Sequence, residues 1–330
     1  MATVLIGTVG GLYLKHIGDS SEAIKVGFGD KGFGTIRSIV VDRSDARRIF
    51  LSTTRAGVWR SNDGGDSWRE MNHGLIYQEV WSLEQQTGTG DLFAGTGPAC
   101  LFKSSDNGES WQEFEGLRGI DGRAEWFLHL PPYFPHIRGI AFCEGDPAVL
   151  VCAVEEGGIV TTSDGGDSWS NFRKGICDDA HSVATMPDDA HTILVATGDG
   201  TFISTNGGEG FARCSGVYKS YSTHVLTSSQ LPGAVLVVAG RNQPRHWRTD
   251  KGAETGFFVS RDSGSSWFEI TEGVPAHLHG GAHAACWDPF NVGRAFVGLS
   301  DGSIWSLTVN GEAKLWLSGL FAVTALAVMP

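Results

Sequence analysis

Three features of the sequence predict an all-β chain arranged as a seven-bladed β-propeller of four-stranded antiparallel blades. A short apolar run with one polar residue near its start recurs at a period of about 43 residues. Each copy is followed by two more strand-like segments and a turn. The first residues look like a blade without its first strand, which the last residues can supply. With 46 glycines against 11 prolines in 330 residues, tight turns between short strands are abundant.

The recurring runs are Ile36-Arg37-Ser38-Ile39, Val80-Trp81-Ser82-Leu83, Ile137-Arg138-Gly139-Ile140, Ala180-His181-Ser182-Val183, Thr223-His224-Val225-Leu226, Ala282-His283-Ala284-Ala285 and Val323-Thr324-Ala325-Leu326. They place blade starts near 35, 79, 136, 179, 222, 281 and 322 within one domain spanning 1–330. Second strands end in small residues, as in Leu51-Ser52-Thr53-Thr54 and Phe93-Ala94-Gly95-Thr96, and third strands follow, as in Gly57-Val58-Trp59-Arg60. Val4 to Thr8 and Gly11 to Leu14 match the second and third strands of a blade, and Val323 to Val328 matches its first. Pairing the two ends closes the ring and removes open sheet edges.

The composition bounds the function. A formal net charge of −12 argues against a nucleic-acid partner or an anionic membrane surface, both of which call for a basic footprint. No apolar run approaches a membrane span, and the start lacks the basic and apolar regions of a signal peptide, so the expected location is the cytoplasm. The six cysteines, Cys100, Cys143, Cys152, Cys177, Cys214 and Cys286, form no CxxC pair and read as reduced, mostly buried fillers.

Between the third and fourth strands lies a motif of the form Ser-x-Asp-x-Gly-x-x-Trp. It occurs at Ser61 to Trp68, at Ser104 or Ser105 to Trp111, at Thr162 to Trp169 and at Ser260 to Trp267, with a weaker copy at Ser204 to Phe211. This motif resembles the Asp-box, or BNR, repeat of sialidases, sortilin-type receptors and photosystem II assembly-factor propellers. The box is a turn device in which the carboxylate accepts backbone N–H groups, glycine supplies positive φ and the aromatic ring packs between sheets. No catalytic role is assigned to Asp63, Asp106, Asp164 or Asp262.

The polar position of the seven runs reads Arg37, Trp81, Arg138, His181, His224, His283, Thr324, and forms a rim around the channel mouth. Two residues on, Ile39, Leu83, Ile140, Val183, Leu226, Ala285 and Leu326 form an apolar plug beneath it. Histidines on three consecutive blades, His181, His224 and His283, point to a three-imidazole metal site with an open position. Zinc is the expected ion, with copper or iron compatible with the same ligands. Arg37 and Arg138 flank Trp81 and suit a planar anion, with Arg241 as a third candidate substrate-binding residue. His279 is a candidate fourth ligand or general acid, Asp179 can orient a ligating imidazole, and Tyr221 is a candidate proton donor.

Insertions at 118–135 and 241–255 open on the same rim by strand parity, the first carrying Trp126, Phe127, Tyr133 and Phe134 and the second Arg245, His246, Trp247 and Arg248. Long loops gathered on one face form a lid, a binding surface or an oligomer contact. The expected function is a metal-dependent enzyme, a hydrolase or lyase, acting on a small anionic molecule in the channel mouth. The arrangement is similar to that of the amidating lyases, whose propeller channel also holds a metal on histidines. Two alternatives stand beside it: an oxidative enzyme using copper or iron at the same site, and a non-catalytic binding propeller similar to the photosystem II assembly factors. A sialidase-like glycosidase fits less well, because two rim arginines are present where that family has three, and no Tyr/Glu nucleophile pair stands out.

Overall fold

A computed structural model describes residues 2–26, 34–129, 131 and 133–330. The strands form seven four-stranded antiparallel sheets arranged as a seven-bladed propeller. The innermost strands are Ile36–Val41 in blade 1, Val80–Gln85 in blade 2, Ile137–Cys143 in blade 3 and Ala180–Met186 in blade 4. Tyr221–Thr227, Ala282–Trp287 and Val323–Met329 serve blades 5, 6 and 7. Blade 1 shows the common pattern outward from the channel, continuing with Ile49–Thr53, Val58–Ser61 and Arg69–Glu70. In blade 7 the C-terminal strand pairs antiparallel with Thr3–Thr8, from Thr3 opposite Met329 to Ile6 opposite Leu326. The chain ends thus share one sheet, as the sequence predicts, and the pairing leaves the closing blade no open inner edge.

The second strand of each blade is covered on both faces, which accounts for runs such as Leu92–Thr96 in which every residue is buried. Apolar clusters bridge neighbouring blades: Val40, Phe50, Leu83, Phe102 and Trp111 share one drawn from blades 1 and 2. Gly95 shows how close the blades come, since a Cβ there would lie 2.6 Å from Ile137 Cγ2. Only glycine lets the inner strand of blade 3 rest on the second strand of blade 2, and that contact brings Trp81 and Arg138 to one wall.

The five turn motifs share one hydrogen-bond pattern. Ser61 Oγ donates to Asp63 Oδ1 at 2.7 Å and accepts from Gly65 N at 2.9 Å, while Ser67 N donates to Asp63 at 2.9 Å. Asp106, Asp164 and Asp262 repeat it, and Ser104 rather than Ser105 opens the second copy. Asn206 does the same work in the weakened copy, accepting from Ser204 Oγ and Gly210 N. Bonds from Ser266, by its hydroxyl and its backbone N–H, and from Ser260 hold the Asp262 carboxyl at about 2. These acids are fully committed to the turns.

The insertion at 118–135, of which residues 130 and 132 lie outside the described set, is entered through a short 3₁₀ turn at Glu115–Gly119 and carries a second at Arg123–Glu125. Its Trp126 is buried in the cluster between blades 2 and 3, so part of the segment is core rather than lid. No helix among the described residues is long and apolar enough to cross a membrane.

Candidate functional site at the channel mouth

The residues around the mouth share a local cause. In every blade the pairing of the innermost strand slips by one residue, between Ile36 and Ser38, Val80 and Ser82, Ile137 and Gly139, Ala180 and Ser182, Ser222 and His224, and Ala282 and Ala284. In blade 7 the partners of Val323 and Ala325 are the adjacent Thr8 and Gly7. A β-bulge leaves its extra residue unpaired and re-aims that side chain. The seven bulge residues are Arg37, Trp81, Arg138, His181, Thr223, His283 and Thr324, and all of them line one cavity of about 230 Å³.

Six of the seven predicted rim residues are therefore bulge residues, and the exception is in blade 5. The repeat there is in register one residue earlier than the sequence alignment places it, so Thr223 takes the rim and His224 the position below. Val225 N donates to Ser182 Oγ at 3.3 Å, as Leu83 N donates to Ser38 Oγ at 3.1 Å, which confirms Val225 as the equivalent of Leu83. Val225, not Leu226, belongs to the apolar ring with Ile39, Leu83, Ile140, Val183, Ala285 and Leu326. A one-residue register change is enough to move a side chain to a different level and face of the channel.

The expected convergence of His181, His224 and His283 is corrected by the same geometry. All three line the cavity, but their ring nitrogens do not form a close ligand set among the described residues. His181 turns into the wall, its Nδ1 2.7 Å from Ser222 O and its Nε2 3.0 Å from Asp179 Oδ1. His224 Nδ1 lies 3.1 Å from Thr223 Oγ1, which itself donates to Val238 O. Because that hydroxyl proton is spent, Nδ1 of His224 is the donor in this pair. His283 packs its ring 5.0 Å from Trp247. Burial, then the charge of Arg138, lowers both His224 and His283 to about 3, so both imidazoles are neutral at neutral pH.

Opposite these imidazoles stand the two arginines. The Arg37 guanidinium lies 4.0 Å from the Trp81 ring centroid and Arg138 lies 5.9 Å from it, while His136 stacks on the same indole at 3.8 Å. Trp81 Nε1 donates to Glu79 Oε1 at 3.2 Å, which fixes the ring. Arg138 is paired, its Nη1 2.9 Å from Glu155 Oε2. Burial alone would raise Glu155, but Arg138 and His136 outweigh it and hold this carboxyl well below the usual range. Arg37 has no carboxylate in ion-pair contact among the described residues: burial, with repulsion from Arg138, pushes it down to about 10. Its Nε, and Thr324 Oγ1 on the adjacent blade, are buried without a hydrogen-bond partner among the described residues.

Tyr221 is buried, its hydroxyl 3.3 Å from His181 Nε2, and burial raises its pKa. Trp247, from the insertion at 241–255, reaches over the mouth between Tyr221 and His283. Phe134, from the other insertion, lies beside Gly97 together with Trp81 and His136. Both insertions thus place an aromatic ring at the rim. Two predicted residues sit elsewhere. Arg241 is exposed and paired with Glu254 at 3.0 Å, and His279 is exposed against Gly252; neither lines the cavity.

Glu155 and His136 are the residues that sequence reasoning undervalued. The signal was available in part: the position two residues before the bulge residue reads Glu79, His136, Asp179 and Tyr221 in blades 2 to 5, a polar ring one step outside the rim. Glu155 gave none, since it follows the second strand of blade 3 and reaches the mouth only through its bridge to Asp179.

The fold and this mouth define the chain as a seven-bladed β-propeller with a basic, aromatic-walled cavity at one end of its channel. No protein-family model matches the sequence, and no curated protein matches it. Among solved structures it is similar to the GH74 xyloglucanase from Xanthomonas campestris, at 17% identity and a TM-score of 0.73 over 95% of this chain and 52% of that one. It is also similar to an ancestral GH74 enzyme, at 17% identity and 0.63 over 89% and 38%, and to YCF48 bound to D1 peptide, at 15% identity and 0.61 over 97% and 89%. The chain spans about half or less of the length of these GH74 chains. At such identities the likeness establishes the fold, and function has to be argued from the site.

Proposed function

We propose that the channel mouth binds a small organic anion bearing a carboxylate or phosphate group. The observation that carries this reading is the pair of buried polar atoms without a hydrogen-bond partner among the described residues, Arg37 Nε and Thr324 Oγ1, which belong to residues of adjacent blades that line one cavity. A half-buried guanidinium with no counterion in contact among the described residues is costly, and an anion accepting from Arg37 and Thr324 would reduce that cost. The neutral imidazoles of His224 and His283 across the cavity add hydrogen-bonding capacity without adding a competing anion. The volume suits a molecule of metabolite size rather than a polymer.

Hydrolysis or elimination on that anion is the second reading, and its support is the group formed by the half-buried Asp179 and the buried His181 and Tyr221, of which His181 lines the cavity. Such a group can hold and pass a proton beside a bound substrate. The hydrolase reading also has GH74 enzymes among the structural neighbours, while YCF48 bound to a peptide supports a non-catalytic propeller. Calorimetric titration with a panel of small dicarboxylates, phosphate esters and a peptide carboxylate tests the proposal. Saturable binding that is lost in Arg37→Met supports it; a protein that binds none of them, or binds them equally well without Arg37, overturns it. Turnover of the bound anion separates the enzyme from the receptor.

A further inference from the structure

We propose that Glu155, Asp179 and His181 form a binding site for a divalent first-row transition cation, set in the wall between blades 3 and 4. The site differs from the three-histidine set and stands independently of the anion reading. One ligand-type atom from each residue lies within 4.8 Å of the other two. The backbone enforces this approach: Glu155 follows the second strand of blade 3, Asp179 precedes the first strand of blade 4, and an antiparallel bridge joins them. His181 is the bulge residue two positions on, and its ring is turned back toward both carboxylates.

Proton bookkeeping then points to a cation. Ser222 O can only accept, so its 2.7 Å contact assigns the proton of a neutral His181 to Nδ1. Nε2 is left with its lone pair toward Asp179 Oδ1 at 3.0 Å. Lone pair against carboxylate is repulsive unless positive charge lies on or beside that nitrogen. An imidazole whose Nδ1–H is fixed by a backbone carbonyl, with Nε2 free, is also the usual orientation of a metal-ligating histidine.

A second buried imidazole repeats the pattern from the other side. His136, 2% exposed, has Nδ1 3.5 Å from Phe134 O, again an acceptor. Its Nε2 lies 2.7 Å from Glu155 Oε2 yet makes no hydrogen bond of acceptable geometry and has no other partner among the described residues. Oε2 of Glu155 is thus crowded by Arg138 and His136, whereas Oε1 has no hydrogen-bond partner among the described residues and is available to a metal. One imidazole and two carboxylates, with no cysteine in the group, suit zinc, manganese or ferrous iron better than copper(I). Tyr221 OH lies 3.3 Å from His181 Nε2 on one side, and His181 is the member of the group that also lines the mouth cavity.

The competing account is that His181 and His136 are simply imidazolium ions paired with these carboxylates. Tagless full-length protein, freed of metal by chelator and dialysis, would be titrated calorimetrically with Zn²⁺ and optically with Co²⁺. The expected result is saturation near one equivalent, visible Co²⁺ d–d bands, and at least a tenfold weaker affinity in Asp179→Asn and Glu155→Gln, with His283→Ala unchanged. Nitrogen NMR of the wild-type histidine side chains supplies a readout that needs no variant: Zn²⁺ should move the His181 Nε2 resonance and leave Nδ1 protonated. The proposal is overturned if the wild type takes up neither ion at millimolar concentration. It is also overturned if the His181 resonances ignore Zn²⁺, or if His283→Ala costs as much affinity as Asp179→Asn.

Discussion

Replacing Arg37 with methionine removes a half-buried charge while keeping a shorter, unbranched apolar side chain beside Trp81. In the folded protein the guanidinium is pushed down to about 10 from 12.5, chiefly by burial and then by Arg138. At about 1.4 kcal/mol per unit, that shift corresponds to roughly 3 kcal/mol of strain on the charged form. The side chain is half-buried in a channel open to water, so about half of this figure is realistic. Loss of the stack on Trp81 at 4.0 Å gives back about 0.5–1 kcal/mol. The sign follows from linkage. Arg37 is charged below its folded pKa, so the cost is fully present at neutral pH and disappears only as pH rises between about 10 and 12.5. In anion-free buffer Arg37→Met should therefore be more stable than the parent by about 1 kcal/mol in urea or guanidinium unfolding. In saturating anion the order should reverse, because ligand at a hundred times its Kd adds about 2.7 kcal/mol to the parent alone. A variant destabilised by more than about 1 kcal/mol without anion would refute the reasoning, since Arg37 would then be holding the fold together rather than awaiting a ligand.

Three further outcomes are expected. Below neutrality the unfolded chain protonates His224 and His283 near 6.5 while the folded channel resists until about 3, so stability should fall as pH drops through that window. Each histidine contributes up to about 1.4 kcal/mol per pH unit, and the His224→Gln/His283→Gln double variant should flatten the acid limb of the stability curve, a change that pH-dependent denaturation would reveal. Gly281→Ala places a Cβ about 2.2 Å from the Trp247 ring, so it should displace that indole from the mouth and weaken anion binding several-fold while the fold, followed by far-UV circular dichroism, persists. Ser260→Ala strands the buried Gly264 N–H and should cost about 1–3 kcal/mol in chemical denaturation; an effect no larger than a surface substitution would show that the turns do not hold the blade as argued.

Much of the ring is legible in the sequence because each blade obeys local rules that repeat. Alternating strands, glycine turns and the serine–aspartate turn motif depend on residues a few positions apart, and seven copies reinforce one another. The match between chain ends is visible for the same reason, since a blade lacking one strand at one terminus is completed by a lone strand at the other. Even the mouth is partly legible: Arg37, Trp81, Arg138, His181, His283 and Thr324 are aligned by the repeat, and the fold turns that alignment into a ring of bulge residues.

What tertiary structure alone decided is where neighbouring blades touch. The register of blade 5, and with it the choice of Thr223 over His224 at the rim, is set by Val225 against Ser182 across the blade boundary. Glu155 meets Asp179 and Arg138, and Trp247 covers His283, only because separate blades bring them together. The ionic state of the site also belongs to this level. Arg37 and Arg138 are equivalent in sequence, yet Glu155 reaches one and not the other. Sequence periodicity fixes which residue type stands at each blade; burial and the partner across the boundary determine its charge, its tautomer and what it can bind.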